Sequence, residues 1–533
     1  MKKFLLFLGA TLLFIGANAQ VTDRALPEEW SKLVPGGRFL DRFEPMKGSL
    51  KGEHIWGCEG VQDRYVDNGI EDNIWSYWGG NIRLGDDGLY HMFVAAWLEA
   101  SEKGHMEWPG SYIIHVVAEK PDGPFKPVQM VGRGHNPEFY RTADGTWVIY
   151  VIGGRYTSKS LYGPWTADKY TYDPRDRKII EGLSNVTFAD RQDGSRLAVC
   201  RGGGIWISRD GLDNLQQVSC ERVYPAVEGA FEDPLVWRDN VQYHLIVNDW
   251  LGRIAWYLRS PDGFNWTVDP GEAYTPGIAV HGDGTQEDWF KYERIKVIQD
   301  EYGRAYQANF AVIDTLKHED KMLDRHSSKN ICIPLNKGVL MDIVSAGPIT
   351  SKTKTIDLRV RAEQGFNPQK DIDFASLRFG SNELVNYGEG ACVTSVRNDG
   401  AHVILTFDAK AAQIGPEEFA PKLLGKYADG HMLYGYTRVP GRDYTPAVLS
   451  TLKPVIENGE AVLKITNFGV SASTAASPVT LTQTIDGKVR TIAKGSAAPL
   501  APYDSADLRL KLLRPVTPDL PLEVHLGSRT ETF

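Results

Sequence analysis

The stretch Glu232-Asp233-Pro234-Leu235-Val236-Trp237-Arg238 runs through the turn Asp239-Asn240 into Tyr243-His244-Leu245-Ile246-Val247, and closes on Asp262-Gly263-Phe264-Asn265-Trp266. It is one of five near-copies. The others begin at Gly80-Asn81-Ile82, His135-Asn136-Pro137, Ser184-Asn185-Val186 and Tyr292-Glu293-Arg294. Their first apolar stretches end at Asp87-Gly88, Asp144-Gly145, Asp193-Gly194 and Tyr302-Gly303, and a second strand-like run follows each turn. Three close on a turn related to Asp262-Gly263: Asp122-Gly123-Pro124, Tyr162-Gly163-Pro164 and Asp210-Gly211-Leu212. Units of roughly fifty residues, each of several short strands, predict a β-propeller. Five units predict an all-β chain with five blades.

Around this core the chain divides into further segments. Residues 1–19 have the form of an export signal: Lys2-Lys3, an apolar run from Phe4 to Ile15, then Ala17-Asn18-Ala19. A periplasmic or secreted protein is expected, and the apolar run is too short to span a bilayer. A lead-in over 20–45 precedes the propeller, expected over 46–338. After Gly338 the repeat stops. Alternating runs such as Ile356–Val360 and Val403–Phe407 predict an accessory β-domain over 339–450. Those at Ala461–Ile465, Val479–Gln483 and Leu508–Leu512 predict an immunoglobulin-like sandwich over 451–533.

Charge and cysteine content narrow the partners. A net charge of −9 and a pI near 5.8 give no reason to expect nucleic acid or an anionic membrane surface. The five cysteines, Cys58, Cys200, Cys220, Cys332 and Cys392, form neither a disulfide framework nor a Cys-x-x-Cys metal site. The histidines show no compact ligand spacing, so no zinc site is read. With 14 Trp and 23 Tyr, the chain is rich in rings that stack on sugars, although most such rings serve as core.

In a propeller, the starts of successive innermost strands converge on one mouth of the central channel. Here that ring reads Asn81, Asn136, Asn185, Asp233 and Glu293. Asparagine at a strand start often only braces a turn, so the two carboxylates are the stronger candidates. A partly desolvated acid beside an ionised neighbour is the arrangement that glycoside hydrolysis uses. Glu232, Glu287 and His135 are candidate assistants. Asn81, Asn136, Asn185, Arg201, Trp250, His281 and His326 are candidate substrate contacts, Arg201 suiting a uronate or sulfate. His91 and His244 recur at equivalent second-strand positions, which points to a structural role.

The segments Glu232–Asp239, Tyr243-His244-Leu245 and Leu161-Tyr162-Gly163-Pro164-Trp165 resemble the five-bladed propeller glycosidases of glycoside hydrolase families 43, 32, 62 and 117. The resemblance covers about residues 75–335. It implies an oligosaccharide or polysaccharide substrate and room for a structural divalent cation in the channel. Family 43 draws its general base, pKa modulator and general acid from blades one to three. Here those starts are Asn81, Asn136 and Asn185, so the roles do not carry over and the chain reads as a divergent member. The expected function is that of an exported, exo-acting glycoside hydrolase using paired carboxylates on plant or algal oligosaccharides. Two alternatives stay open: a polysaccharide lyase built on His135, Tyr292 and Arg201, and a non-catalytic glycan-binding protein.

Overall fold

The computed structural model describes residues 21–47, 67–177, 183–324, 326 and 328–533. The expected export signal and Cys58 lie outside the described residues. Among these, the chain is nearly all β, with only two short α-helices, Asn382–Asn386 and Ala409–Ala412. No helix among them is long and apolar enough to cross a membrane.

Each of the five repeats opens a sheet, antiparallel throughout except that Tyr172–Asp173 joins the edge of the third in parallel. The fourth shows why: Phe231–Arg238, Tyr243–Asp249, Ile254–Ser260 and Thr267–Tyr274 pair in sequence order. Its two middle strands are buried along their whole length, so they read as continuous apolar and aromatic runs rather than alternating ones. The second strands found elsewhere are Tyr90–Leu98, Trp147–Val151, Arg196–Val199 and Ala305–Ile313.

The apolar faces pack cyclically. Tyr140 and Tyr150 of the second sheet share a core with Phe188 and Trp206 of the third. Leu197 and Ile207 of the third pack with Leu245 and Trp256 of the fourth. Trp237 and Tyr257 of the fourth meet Ile295 and Phe310 of the fifth. The circle closes because Ile298 and Cys332 of the fifth sheet join Ile82 and Met92 of the first, while Trp97 of the first packs with Trp147 of the second. Ser328–Pro334 completes the fifth sheet, and the lead-in is fastened to it through the Phe43–Leu335 bridge.

Beyond Gly338 there are two further cores. Strands Thr355–Val360 and His402–Asp408 of one sheet face Ile372–Gly380 and Lys422–Tyr427 of another across Leu358, Leu377, Leu405 and Leu423. Glu460–Asn467 and Ser477–Ile485 belong to a second facing pair, joined across Leu463, Leu481 and Val524. A buried Arg177–Glu531 ion pair of 2.8 Å ties the last core to the cyclic sheets. Cys200, Cys220, Cys332 and Cys392 are all unpaired.

Candidate active site

The first strands share one backbone device, and it corrects the register read from the sequence. Asn136, Asn185, Asp233 and Arg294 all have left-handed backbone, with φ between 50° and 54°. In the fourth and fifth sheets this residue sits in a register shift, between Glu232 and Leu235 and between Glu293 and Lys296. In the first sheet the strand breaks between Trp78 and Ile82, at Gly79 with φ +69°. The ring is therefore Gly79, Asn136, Asn185, Asp233 and Arg294. Asn81 lies two residues too far along, and Glu293 one residue too early.

That shift separates three layers. The ring residues hydrogen-bond around the centre: Asn136 Nδ2 donates to Asn185 Oδ1 at 2.6 Å, and Asn185 Nδ2 donates to Asp233 Oδ1 at 2.9 Å. Arg294 Nη1 donates to Asp233 Oδ1 at 3.0 Å, and Nη2 to the Asn136 carbonyl at 3.3 Å. Its guanidinium passes over Gly79, where a Cβ would stand 3.2 Å from Nε. Two residues further in, Asn81 Nδ2 donates to the Phe139 carbonyl at 2.8 Å, while Glu138 accepts from Phe188 N on Oε1 at 2.9 Å and pairs with Lys296 through Oε2. These residues lock neighbouring sheets together. A divalent cation does not fit this centre, because Arg294 and Lys296 already bring two positive side chains into it.

One residue before the ring, on the other side, stand Trp78, His135, Ser184, Glu232 and Glu293. This is where the chemistry collects. Glu293 is almost fully buried; its Oε2 accepts from Lys317 Nζ at 2.5 Å, and Lys291 Nζ lies 3.8 Å from Oε1. Lys317 also sits over the Trp78 ring, 4.7 Å from its centroid, and Lys291 over Trp250 at 4.6 Å. Glu232 keeps 21% of its side chain exposed, accepts from Asn185 Nδ2 at 2.9 Å, and lies 3.5 Å from Arg201 Nη1. Burial raises the Glu232 pKa to about 7, reinforced by the Asp233 charge and opposed by Arg201 and Lys317. His135 is held well below its ordinary value by burial, with Arg294 and Lys317 adding to the effect. Its Nδ1 contacts Ser111 Oγ at 2.9 Å, and its ring packs against Trp108.

Asp233 is placed differently from the expectation. Its Oδ1 accepts from Asn185 and Arg294, and its Oδ2 from the Arg294 backbone N at 3.3 Å. The adjacent Glu232 occupies the outer position instead. Glu287 pairs with His281 at 2.8 Å and accepts from Trp289 Nε1, so both expected site residues hold each other in the closing loop. His326 faces Asp314 at 3.3 Å. Tyr292 is core, edge-on to Phe310, and does not join His135 and Arg201. His91 and His244 brace their turns through Asp87 and Asp239, at 3.0 and 2.9 Å.

Sequence reasoning missed Arg294, Lys317, Lys291 and Glu138. Aligning Glu232-Asp233-Pro234 with Glu293-Arg294-Ile295 on the shared glutamate would have exposed Arg294. Lys317 comes from the loop after Ile313 and carries no such signal.

No protein-family model matches the chain, and no curated protein matches its sequence. Structure neighbours are glycoside hydrolases of families 117 and 43. A family 117 glycoside hydrolase of Zobellia galactanivorans is 12% identical over 50% of this chain and 90% of its own, with a TM-score of 0.34. An endo-arabinase of Bacteroides thetaiotaomicron is 11% identical over 49% and 94%, with a TM-score of 0.31. A family 43 arabinoxylan arabinofuranohydrolase of Bacillus subtilis is 10% identical over 86% and 95%, with a TM-score of 0.37. Likeness of this degree carries no functional argument.

Proposed function

We propose that the chain is a glycoside hydrolase whose general acid is Glu232 and whose second carboxylate is Glu293. One observation carries the reading: two glutamates occupy equivalent positions on adjacent first strands, in unequal electrostatic surroundings, Glu232 beside the Asp233 charge and Glu293 against two lysines. Glu232 is held protonated up to about neutral pH by burial and by the Asp233 charge behind it. Glu293 sits between two lysines. An acid that keeps its proton at neutral pH can protonate the departing glycosidic oxygen. A lysine-braced carboxylate serves at the anomeric carbon, as base toward water or as nucleophile. Asp233 is the positioning residue that raises Glu232, and Arg294 fixes it there.

The architecture we infer for this machinery is a five-bladed propeller followed by an accessory β-domain and a C-terminal sandwich, in an exported protein. Supporting the architecture are the cyclic packing of the five sheets and the two facing sheet pairs after Gly338; export rests on the sequence pattern of residues 1–19. Exo-action on plant or algal oligosaccharides belongs to the same proposal.

The test is product analysis by mass spectrometry after incubating the purified chain with a panel of plant and algal oligosaccharides. A released sugar carrying the mass of one water is expected, with Glu232→Gln and Glu293→Gln each at least about a hundredfold slower. Full activity in both variants would sink the reading. An unsaturated product without added water would move it to a lyase.

A further inference from the structure

Strand pairing in the fourth sheet sets four residues in one cross-strand row. Glu232 is opposite Asn248, Asn248 opposite Ala255, and Ala255 opposite Tyr274. Directly opposed residues of an antiparallel sheet share a face, so the row runs outward from the proposed acid, with only the Ala255 methyl between Asn248 and Tyr274. Asn248 and Tyr274, both almost fully buried, line one cavity with Glu293 of the fifth sheet. Its volume is about 10 Å³, space for a single oxygen-sized group. Trp250, Arg253 and Pro276, all half-buried, complete its wall. Asn248 Nδ2, the Tyr274 hydroxyl and Glu293 Oε1 are buried without a hydrogen-bond partner. Lys291 Nζ, 3.8 Å from that Oε1, is beyond hydrogen-bond reach. The Tyr292 hydroxyl is also unpartnered, but it lies toward the closing loop, where burial, then Glu287 and Asp288, raise its pKa. Burial, reinforced by the Asp233 and Glu293 charges, holds the Tyr274 hydroxyl protonated and able to donate. Buried polar atoms left unpaired are costly. This set is two donors and one acceptor. An alcohol has two lone pairs to receive and one proton to give, so one hydroxyl satisfies all three; water would leave a proton over.

We propose that Asn248 and Tyr274 are specificity-determining residues that, with Glu293 Oε1, take one free hydroxyl of the substrate: the hydroxyl on the ring carbon next to the anomeric carbon. This rests on the glycosidase reading, which sets Glu293 at the anomeric carbon and so brings the neighbouring hydroxyl to the same carboxylate. A methoxy group in that place exceeds the space, and a hydrogen leaves three buried atoms unpaired.

The experiment takes a panel of 4-nitrophenyl pentosides and hexosides, each beside its 2-deoxy and 2-O-methyl twins. Released nitrophenol gives kcat/KM for the parent, Tyr274→Phe and Asn248→Ala, and thermal melts are run on all three. For the parent, the hydroxyl member should lead its twins by at least about a hundredfold. Each variant should cost the hydroxyl member at least about tenfold more than the deoxy twin; the twins' intrinsic reactivities cancel in that comparison. Tyr274→Phe should melt at or above the parent temperature, because it removes a hydroxyl buried without a partner. Equal losses on hydroxyl and deoxy members would show that the two residues only brace the protein, as would a Tyr274→Phe melt well below the parent. Equal hydrolysis of all three twins by the parent would show that no substrate hydroxyl enters the cavity. Each of these results would overturn the proposal and leave the hydrolase standing. Release of no sugar from any aryl glycoside or oligosaccharide would overturn both.

Discussion

Arg294 and Asp233, 61 residues apart in sequence, meet through two contacts: Nη1 to Oδ1 at 3.0 Å and backbone N to Oδ2 at 3.3 Å. The pair joins the fourth sheet to the fifth, and Arg294 reaches on to the Asn136 carbonyl of the second. A permanent charge of the chain itself thus fills the centre and holds Asp233 directly behind Glu232.

Breaking this buried pair from one side leaves the other charge unpaired. Arg294→Met is expected to lower unfolding free energy by about 3–5 kcal/mol, read from denaturant melts. The double variant Asp233→Asn/Arg294→Met should lose less than the single one. A loss below about 1 kcal/mol for Arg294→Met would show that the pair does not hold the ring.

Glu232 is expected to be a stability liability at alkaline pH. Its folded pKa of about 7 stands above the ordinary 4.5. Its contribution to stability is therefore complete below about 4.5 and lost as pH rises through 7. Glu232→Gln should be more stable than the parent by about 1–3 kcal/mol at pH 8, with the gap shrinking toward pH 4.5. Thermal melts across that range check the sign. A variant less stable at pH 8 than the parent would contradict the burial argument.

Much of this arrangement is visible in the sequence, and the limits have physical causes. The five sheet starts were legible because each turn repeats Asp-Gly or its equivalent, and because the Tyr-His motif marks the same second-strand position at His91 and His244. The sequence also singles out the Glu232–Asp233 and Glu293 segments, on which the proposed site is built. Which residue faces the mouth was not legible. A left-handed residue rotates the strand, so one position of slip exchanges an outer residue for a ring residue, as at Glu232 and Asp233. Glycine hid the first ring position altogether: Gly79 supplies space for Arg294, and space leaves no polar signature. Glu287 and His281 looked like site residues because a polar, glycine-rich loop resembles a binding loop, yet they pair with each other.

Lys317 is expected to tune both glutamates. Lys317→Met removes the donor 2.5 Å from Glu293 and one of the cations that lower the Glu232 pKa. The rate of hydrolysis should fall at least about tenfold, and the alkaline limb of the pH profile should move to higher pH. An unmoved limb would show that Lys317 acts on Glu293 alone.

The most direct measurement is kcat/KM for glycoside hydrolysis from pH 5 to 9, in the parent and in Glu232→Gln. The parent rate should decline as pH rises through about 7, because the acid must hold its proton to release the leaving group. The variant should lose about 10²–10⁴ in rate, and that decline with it. A Glu232→Gln variant that keeps the parent rate and the same alkaline decline would contradict the assignment of Glu232 as the acid.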